Sequence, residues 1–165
     1  MARRSVDDEL ANDVLVDIPR AHERRFGYSG KLLKPSRGSV EALVRKVPRG
    51  RVLTTSLLRE VLAKRHKAQV TCPFLTKRAL MAIADDPKAS APFWRVVMAS
   101  GEMISAYPGG GAAQARHLRD EGVTVATRSG KSRVAELDAR LVRFCRASMP
   151  LEILHIPLVL FGGGA

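Results

Sequence analysis

Apolar residues recur with helical spacing from Ser39 onward: Val40, Leu43, Val44 and Val47 stand at i, i+3, i+4 and i+7, and Pro48 follows. The spacing predicts a helix capped by Ser39 and stopped at that proline. "RVLTT" at 51–55 comes after a Pro-Arg-Gly turn and is short and β-branched, which predicts a strand. Ser56 can then cap "LLREVLAKRH", with Leu57, Leu58, Val61 and Leu62 facing inward. After a break at "VTCP", Thr76 opens "KRALMAIADD", where Ala79, Leu80 and Ile83 can pack until Pro87 ends the run. Lys77 and Arg78 then fall in the first turn. Cations there oppose the helix macrodipole, so a bound anion would explain them.

The second half repeats the contrast between periods. "AAQARHLRDEG" reads as a helix entered through glycines and closed by Gly122. "VTVATRSGKSRVAEL" alternates on both sides of Ser129-Gly130, predicting a hairpin with Arg128 and Lys131 at its tip. A last helix is predicted from Leu137 to Phe144. Residues 1–38 are dense in charge, glycine and proline without a sustained period, and read as a basic N-terminal arm whose arginines can touch phosphate. Residues 146–165 form a tail without a periodic signal, leaving 39–145 as the domain. The predicted fold is mainly α with a small β component: a winged-helix-like outline of short helices with a terminal hairpin.

Composition adds the expected partner. The chain has 165 residues, 45% of them hydrophobic, which suits one globular domain. Its 28 Lys and Arg against 16 Asp and Glu give a formal charge of +12, which favours a polyanion and nucleic acid first. The longest apolar run, 151–161, contains Glu, His and Pro and is shorter than the roughly 20 residues a membrane helix needs. Cys72 and Cys145 lie far apart with no secretory leader before them, so no disulfide framework is expected and the compartment reads as cytoplasmic. The four histidines and two cysteines show no ligand spacing, and no phosphate-loop motif occurs, so no metal or cofactor is expected. Cys72, ahead of a basic helix start, is a weak candidate nucleophile; its competing reading is a small buried hydrophobe beside Pro73 and Phe74.

The order "VPRGRVLTT", a helix, "TKRALMAIADDP", "PFWRVV", "GEMISAYPGG" and "HLRDEGV" resembles the DNA-binding domain of the methylated-DNA-protein-cysteine methyltransferases over about residues 39–125. That family runs Ile-Pro-x-Gly-x-Val-x-Thr, a recognition helix ending Asn-Pro, Pro-Cys-His-Arg-Val, a Tyr-x-Gly-Gly loop and Leu-Leu-x-x-Glu-Gly. Carried over position by position, the family's nucleophilic cysteine falls on Phe93 and its histidine base on Trp94. Neither side chain can take part in a thiolate transfer. Arg95 and the valines after it match, so the turn is kept while its chemistry is lost. The family's arginine finger falls on Lys77 or, shifted by one, on Arg78; its phosphate-rotating tyrosine falls on Thr55, beside Ser56; and its hinge asparagine falls on Asp86. Tyr107, Gly109 and Gly110 agree with the loop that walls the lesion pocket, and Glu121 agrees with the acid that supports the histidine.

The missing cysteine is similar to that of the alkyltransferase-like proteins, which bind alkylated guanine without repairing it and hand it to excision repair. Their tryptophan stands one place earlier than Trp94. A branch of short members with a Pro-aromatic-Trp-Arg run, a Tyr-Pro-Gly-Gly loop and an upstream Cys-Pro is more similar. The resemblance implies a non-catalytic, monomeric protein that binds double-stranded DNA, alkylated or plain, with excision-repair proteins as partners. Its lesion pocket would be walled by Phe93, Trp94, Arg95, Tyr107, Gly109 and Gly110, and its DNA contacts would come from Thr55, Ser56, Lys77, Arg78, Arg128 and Lys131. Two alternatives stay open: a degenerate winged-helix domain that holds DNA backbone or a protein non-specifically, and a thiol-dependent transferase using Cys72.

Overall fold

The computed structural model describes residues 6–27 and 29–144; Cys145 and the tail 146–165 lie outside them. The elements run α1 (Val6–Glu9), β1 (Val14–Asp17), α2 (Arg20–Phe26), β2 (Lys31–Lys34), α3 (Arg37–Val44), β3 (Leu53–Thr54), α4 (Thr55–Arg65), β4 (Val70–Thr71) and α5 (Pro73–Asp85). A single 3₁₀ turn at Phe93–Arg95 then leads to β5 (Val96–Val97), α6 (Gly110–Asp120), β6 (Val125–Arg128), β7 (Lys131–Val134) and α7 (Leu137–Arg140). The fold is thus mainly α with small sheets, as the sequence predicts, and its hairpin lies between α6 and the short α7. Among the described residues no helix is long and apolar enough to cross a membrane.

The expected arm carries more structure than its composition signals. β1 and β2 pair antiparallel from Val14↔Lys34 to Asp17↔Lys31, and β2 pairs parallel with β4. Leu33 on β2 has 0% exposure and joins the main core, a burial that contributes about 2 kcal/mol. The segment is also tied to the start of α3: Asp13 accepts hydrogen bonds from the Ser36 amide (2.7 Å) and the Ser39 hydroxyl, and Leu10 O accepts from the Arg37 amide at 2.9 Å.

Three helices begin earlier than the sequence predicts. α3 is capped by Ser36, whose side chain accepts from the Ser39 amide, so Ser39 lies inside the first turn. Thr54, not Ser56, caps α4 through the Leu57 amide. α5 opens at Pro73 with Cys72 at the cap, so Lys77 and Arg78 stand one turn further in. The macrodipole argument for an anion at those two residues therefore falls, because the effect fades beyond the first turn. α7 is shorter than predicted: after Arg140 the chain straightens, and Val142 N donates to Val52 O at 2.8 Å.

Two core clusters result. Leu43, Leu53, Leu58, Leu62, Leu80 and Ile83 pack between α3, α4 and α5. Val97, Leu118, Val125 and Val134 pack α6 against the hairpin. The parallel pair β3–β5, Leu53↔Val96 and Thr54↔Val97, joins them, contributing one residue to each cluster from β5. β6 and β7 meet through Ser129 (φ 52°) and Gly130 (φ 75°), a turn of the I′ kind that suits strand twist, with Arg128 opposite Lys131.

Candidate nucleic-acid interface

A cleft of about 700 Å³ opens where α4, α5, the loop 98–106, the start of α6 and the hairpin tip meet. α5 supplies a stripe at Pro73, Thr76, Lys77, Leu80 and Met81, positions that share a face at helical spacing. Met98, Met103 and Ile104 of the loop add apolar wall, and Gly111 of α6 closes one side. A side chain there would press on Met103, since a Cβ at Gly111 would stand 3.1 Å from the Met103 Cβ. Positive charge gathers at the rim from Arg59 of α4, Lys77 of α5 and Lys131 of the hairpin, with the Thr55 hydroxyl of α4 beside them. Glu102 is the acidic lining residue, and Arg133 holds it at 3.0 Å.

Of the residues singled out in the sequence, Thr55, Lys77 and Lys131 come together on this cleft. Ser56 is exposed beside Thr55, and Arg128 is exposed at the end of its strand. Arg78 turns to the N-terminal segment, with Nη1 2.5 Å from Glu9 Oε2 and its guanidinium 5.4 Å from the centre of the Phe74 ring. Asp86, at the end of α5, accepts from Arg37 and from the Lys88 amide. The Arg37 hydrogen bond, then that of Lys88, hold its carboxyl below the usual range. Cys72 is half-buried at the α5 cap against the main core, and its amide donates to Leu33 O at 2.8 Å.

Phe93, Trp94, Arg95 and Tyr107 are brought together, but behind the cleft rather than on it. Phe93 meets both Trp94 (ring centres 5.4 Å apart) and Tyr107 (5.1 Å) edge-on. Trp94 stacks on His117 at 5.0 Å and donates from Nε1 to Glu121 at 2.8 Å. Arg95 donates to both oxygens of Glu121, at 2.8 Å from Nε and 2.8 Å from Nη2, and to Val47 O at 2.6 Å. Burial works to raise the Glu121 carboxyl, but the hydrogen bonds from Arg95 and Trp94 prevail and hold it below the ordinary carboxylate range. Tyr107 is 3% exposed, its hydroxyl has no hydrogen-bond partner among the described residues, and burial pushes that hydroxyl's pKa up. Gly109 caps α6 in the left-handed region and Gly110 follows with φ 70°.

Positions 93 and 94 of this rear cluster offer neither a thiol nor an imidazole. A phenyl ring stands at position 93, the neighbouring indole is a donor only, and the carboxylate is occupied by Trp94 and Arg95. These hydrogen bonds hold the turn at Phe93–Arg95 against α6 and Val47. Gln114, 2% exposed, fixes the same turn from α6: its amide nitrogen donates to Trp94 O (3.0 Å) and Val96 O (2.7 Å), and its oxygen accepts from the Ile104 amide at 2.7 Å. Gln114 and Arg59 were not legible as site residues, and neither were the methionine walls. Helical spacing marks Gln114 as inward-facing, but its three partners lie on segments that only the tertiary fold brings near.

No protein-family model matches the chain, and no curated protein matches it. Among solved structures, S. pombe ATL in complex with DNA is similar at 19% identity, over 65% of this chain and 94% of that chain, with a TM-score of 0.52. S. pombe Atl1 in complex with damaged DNA containing O6-carboxymethylguanine is 22% identical over the same shares, 65% and 94%, with a TM-score of 0.48. The first of these likenesses shows a shared fold, that of an alkyltransferase-like protein, which is the fold the order of motifs implies.

Proposed function

We propose that this protein binds duplex DNA through α5 and the hairpin wing and receives an extruded, O6-alkylated guanine in the cleft without transferring the alkyl group. The observation that carries this reading is the cleft itself. Its apolar walls of Leu80, Met81, Met98, Met103 and Ile104 sit under a rim of Arg59, Lys77 and Lys131. A volume of about 700 Å³ lies within the roughly 300–1,000 Å³ typical of pockets that enclose small organic groups. Rim cations can hold phosphates, which position the duplex, while the apolar interior offsets the few kcal/mol that unstacking a base costs.

An alkyl group on the base would add contact with the methionine thioethers, soft side chains that adapt to added bulk. No thiol stands at position 93 to remove it. In this reading the protein works as a monomer in the cytoplasm and leaves the lesion for excision-repair proteins.

Fluorescence anisotropy with duplexes that differ only in carrying O6-alkylguanine or guanine tests the reading. Tighter binding of the alkylated duplex, weakening steeply with salt, is expected. Equal affinity would remove lesion sensing and favour non-specific backbone binding; absence of salt-dependent binding would remove DNA as the partner. Intact-mass measurement after incubation should show an unmodified chain. An added alkyl group on Cys72 would instead establish a transferase.

A further inference from the structure

Phe74 is 64% exposed, more than Val14 (44%), Leu15 (47%) or Met98 (44%), the other exposed large apolar side chains among the described residues. Its position is specific. It follows Pro73, and it precedes Lys77 by three residues and Met81 by seven, all three of which line the cleft. At helical spacing this places the ring on the outer edge of the α5 stripe, beside Lys77 and Met81.

The ring is also held. The Arg78 guanidinium lies 5.4 Å from its centre, within cation–π range, and Glu9 pairs with that guanidinium at 2.5 Å. Arg78 is therefore a positioning residue for an exposed aromatic, while the exposed Lys77 is the cation of the pair left facing outward.

We propose that Phe74 is a wedge that enters the stacked bases of a DNA duplex and kinks it, opening the groove for α5. The proposal rests on the reading that α5 faces DNA, and it names how the duplex is deformed there. The occupant follows from charge complementarity: Arg59, Lys77 and Lys131 surround the approach to the cleft, so the surface that fits carries negative charge around an apolar interior. Stacked base pairs between two phosphate strands have that arrangement, and apolar side chains flanked by cations are the usual means of partial unstacking in proteins that bend DNA. A ring already held in place loses little side-chain freedom on insertion, which favours a fixed aromatic over a mobile aliphatic chain.

The wedge also suits the cleft beside it. A base step already opened by Phe74 makes extrusion of the adjacent nucleotide easier, because part of its stacking is gone before it leaves the helix.

The test measures affinity by anisotropy and bending by energy transfer between dyes at the two ends of a duplex, for the wild type, Phe74→Ala, Phe74→Leu and Lys77→Ala. Phe74→Ala should bind about tenfold more weakly and lose most of the bend, the weight of one lost aromatic stack. Phe74→Leu, still an apolar wedge, should keep most of both. Lys77→Ala should weaken binding and lower its salt dependence while the complexes that form stay bent. The thermal midpoint of Phe74→Ala should equal that of the wild type, since the ring is exposed. Unchanged affinity and bending in Phe74→Ala overturn the wedge and leave DNA binding standing; weaker binding with an unchanged bend also overturns it, making Phe74 a mere contact. If the wild type shows no salt-dependent binding, the DNA reading itself fails and the wedge with it.

Discussion

Glu121 has 9% of its side chain exposed, yet it receives the Trp94 indole and both arms of Arg95. The resemblance implies an acid here supporting a histidine, and the structure shows an indole N–H making that hydrogen bond instead. Trp94 and Arg95 thereby tie this carboxylate to the turn at Phe93–Arg95. Because the donors hold the folded carboxyl below its ordinary value, the stability it contributes is fully present above the unfolded pKa of about 4.3 and is lost as pH falls through the lower folded value. Glu121→Gln should therefore lower stability at neutral pH by about 3 kcal/mol in urea unfolding, as expected when one partner of a nearly buried pair is removed. The gap to the wild type should narrow as the pH drops below about 4. A gap of constant size across the acid range would show that the carboxylate charge is not its source.

Elements show why some of this was legible and some was not. Apolar spacing marks the buried faces of α3, α4 and α5, because apolar period reports which side meets the core. The caps Ser36, Thr54 and Cys72 precede the predicted starts at Ser39, Ser56 and Thr76 by two to four residues. Several hydroxyl residues stand near each start, and only the one whose backbone is extended can cap. Pro73, which took first place in α5, was the overlooked signal. β1 escaped notice because its strand is an edge with nearly every side chain exposed, so the pairing leaves no alternation. The cleft walls were invisible for a different reason: Met81, Met98 and Met103 reach one cavity from separate segments. At the start of α6 the backbone leaves a sharp prediction. Gly109 has φ 76°, and an added Cβ would lie 2.6 Å from the Ala113 Cβ, whereas Gly122 at φ 82° has open space. Gly109→Ala should thus cost about 1–3 kcal/mol and more than Gly122→Ala, where only backbone strain of about 1 kcal/mol applies. Thermal unfolding of the two variants checks the order, and equal losses would remove the steric part of the argument.

Over the whole molecule, charge is not spread evenly. Five of the 16 acidic residues, Asp7, Asp8, Glu9, Asp13 and Asp17, fall in the first seventeen positions, and Glu9 is paired with Arg78 on α5. The body of the chain is accordingly more basic than its net +12 suggests. A net charge attracts a polyanion from any side, so it cannot by itself say which face binds. The cleft rim makes that choice testable. Each cation that replaces a condensed counterion on duplex DNA contributes about 0.9 to the slope of log affinity against log salt. Replacing Arg59, Lys77 and Lys131 together by alanine should lower that slope by between two and three such steps, and Lys77→Ala alone by about one. Arg45→Ala is the matched control: Arg45 is exposed at the C-terminal cap of α3, paired with Glu41 at 2.6 Å, and it does not line the cleft. Its replacement removes one formal charge from the same molecule, so it reports the long-range field without the local contact. A slope that falls for Lys77→Ala and holds for Arg45→Ala places the duplex on the cleft. Equal falls would mean that overall charge alone drives association, and the cleft would lose its claim to be the binding face.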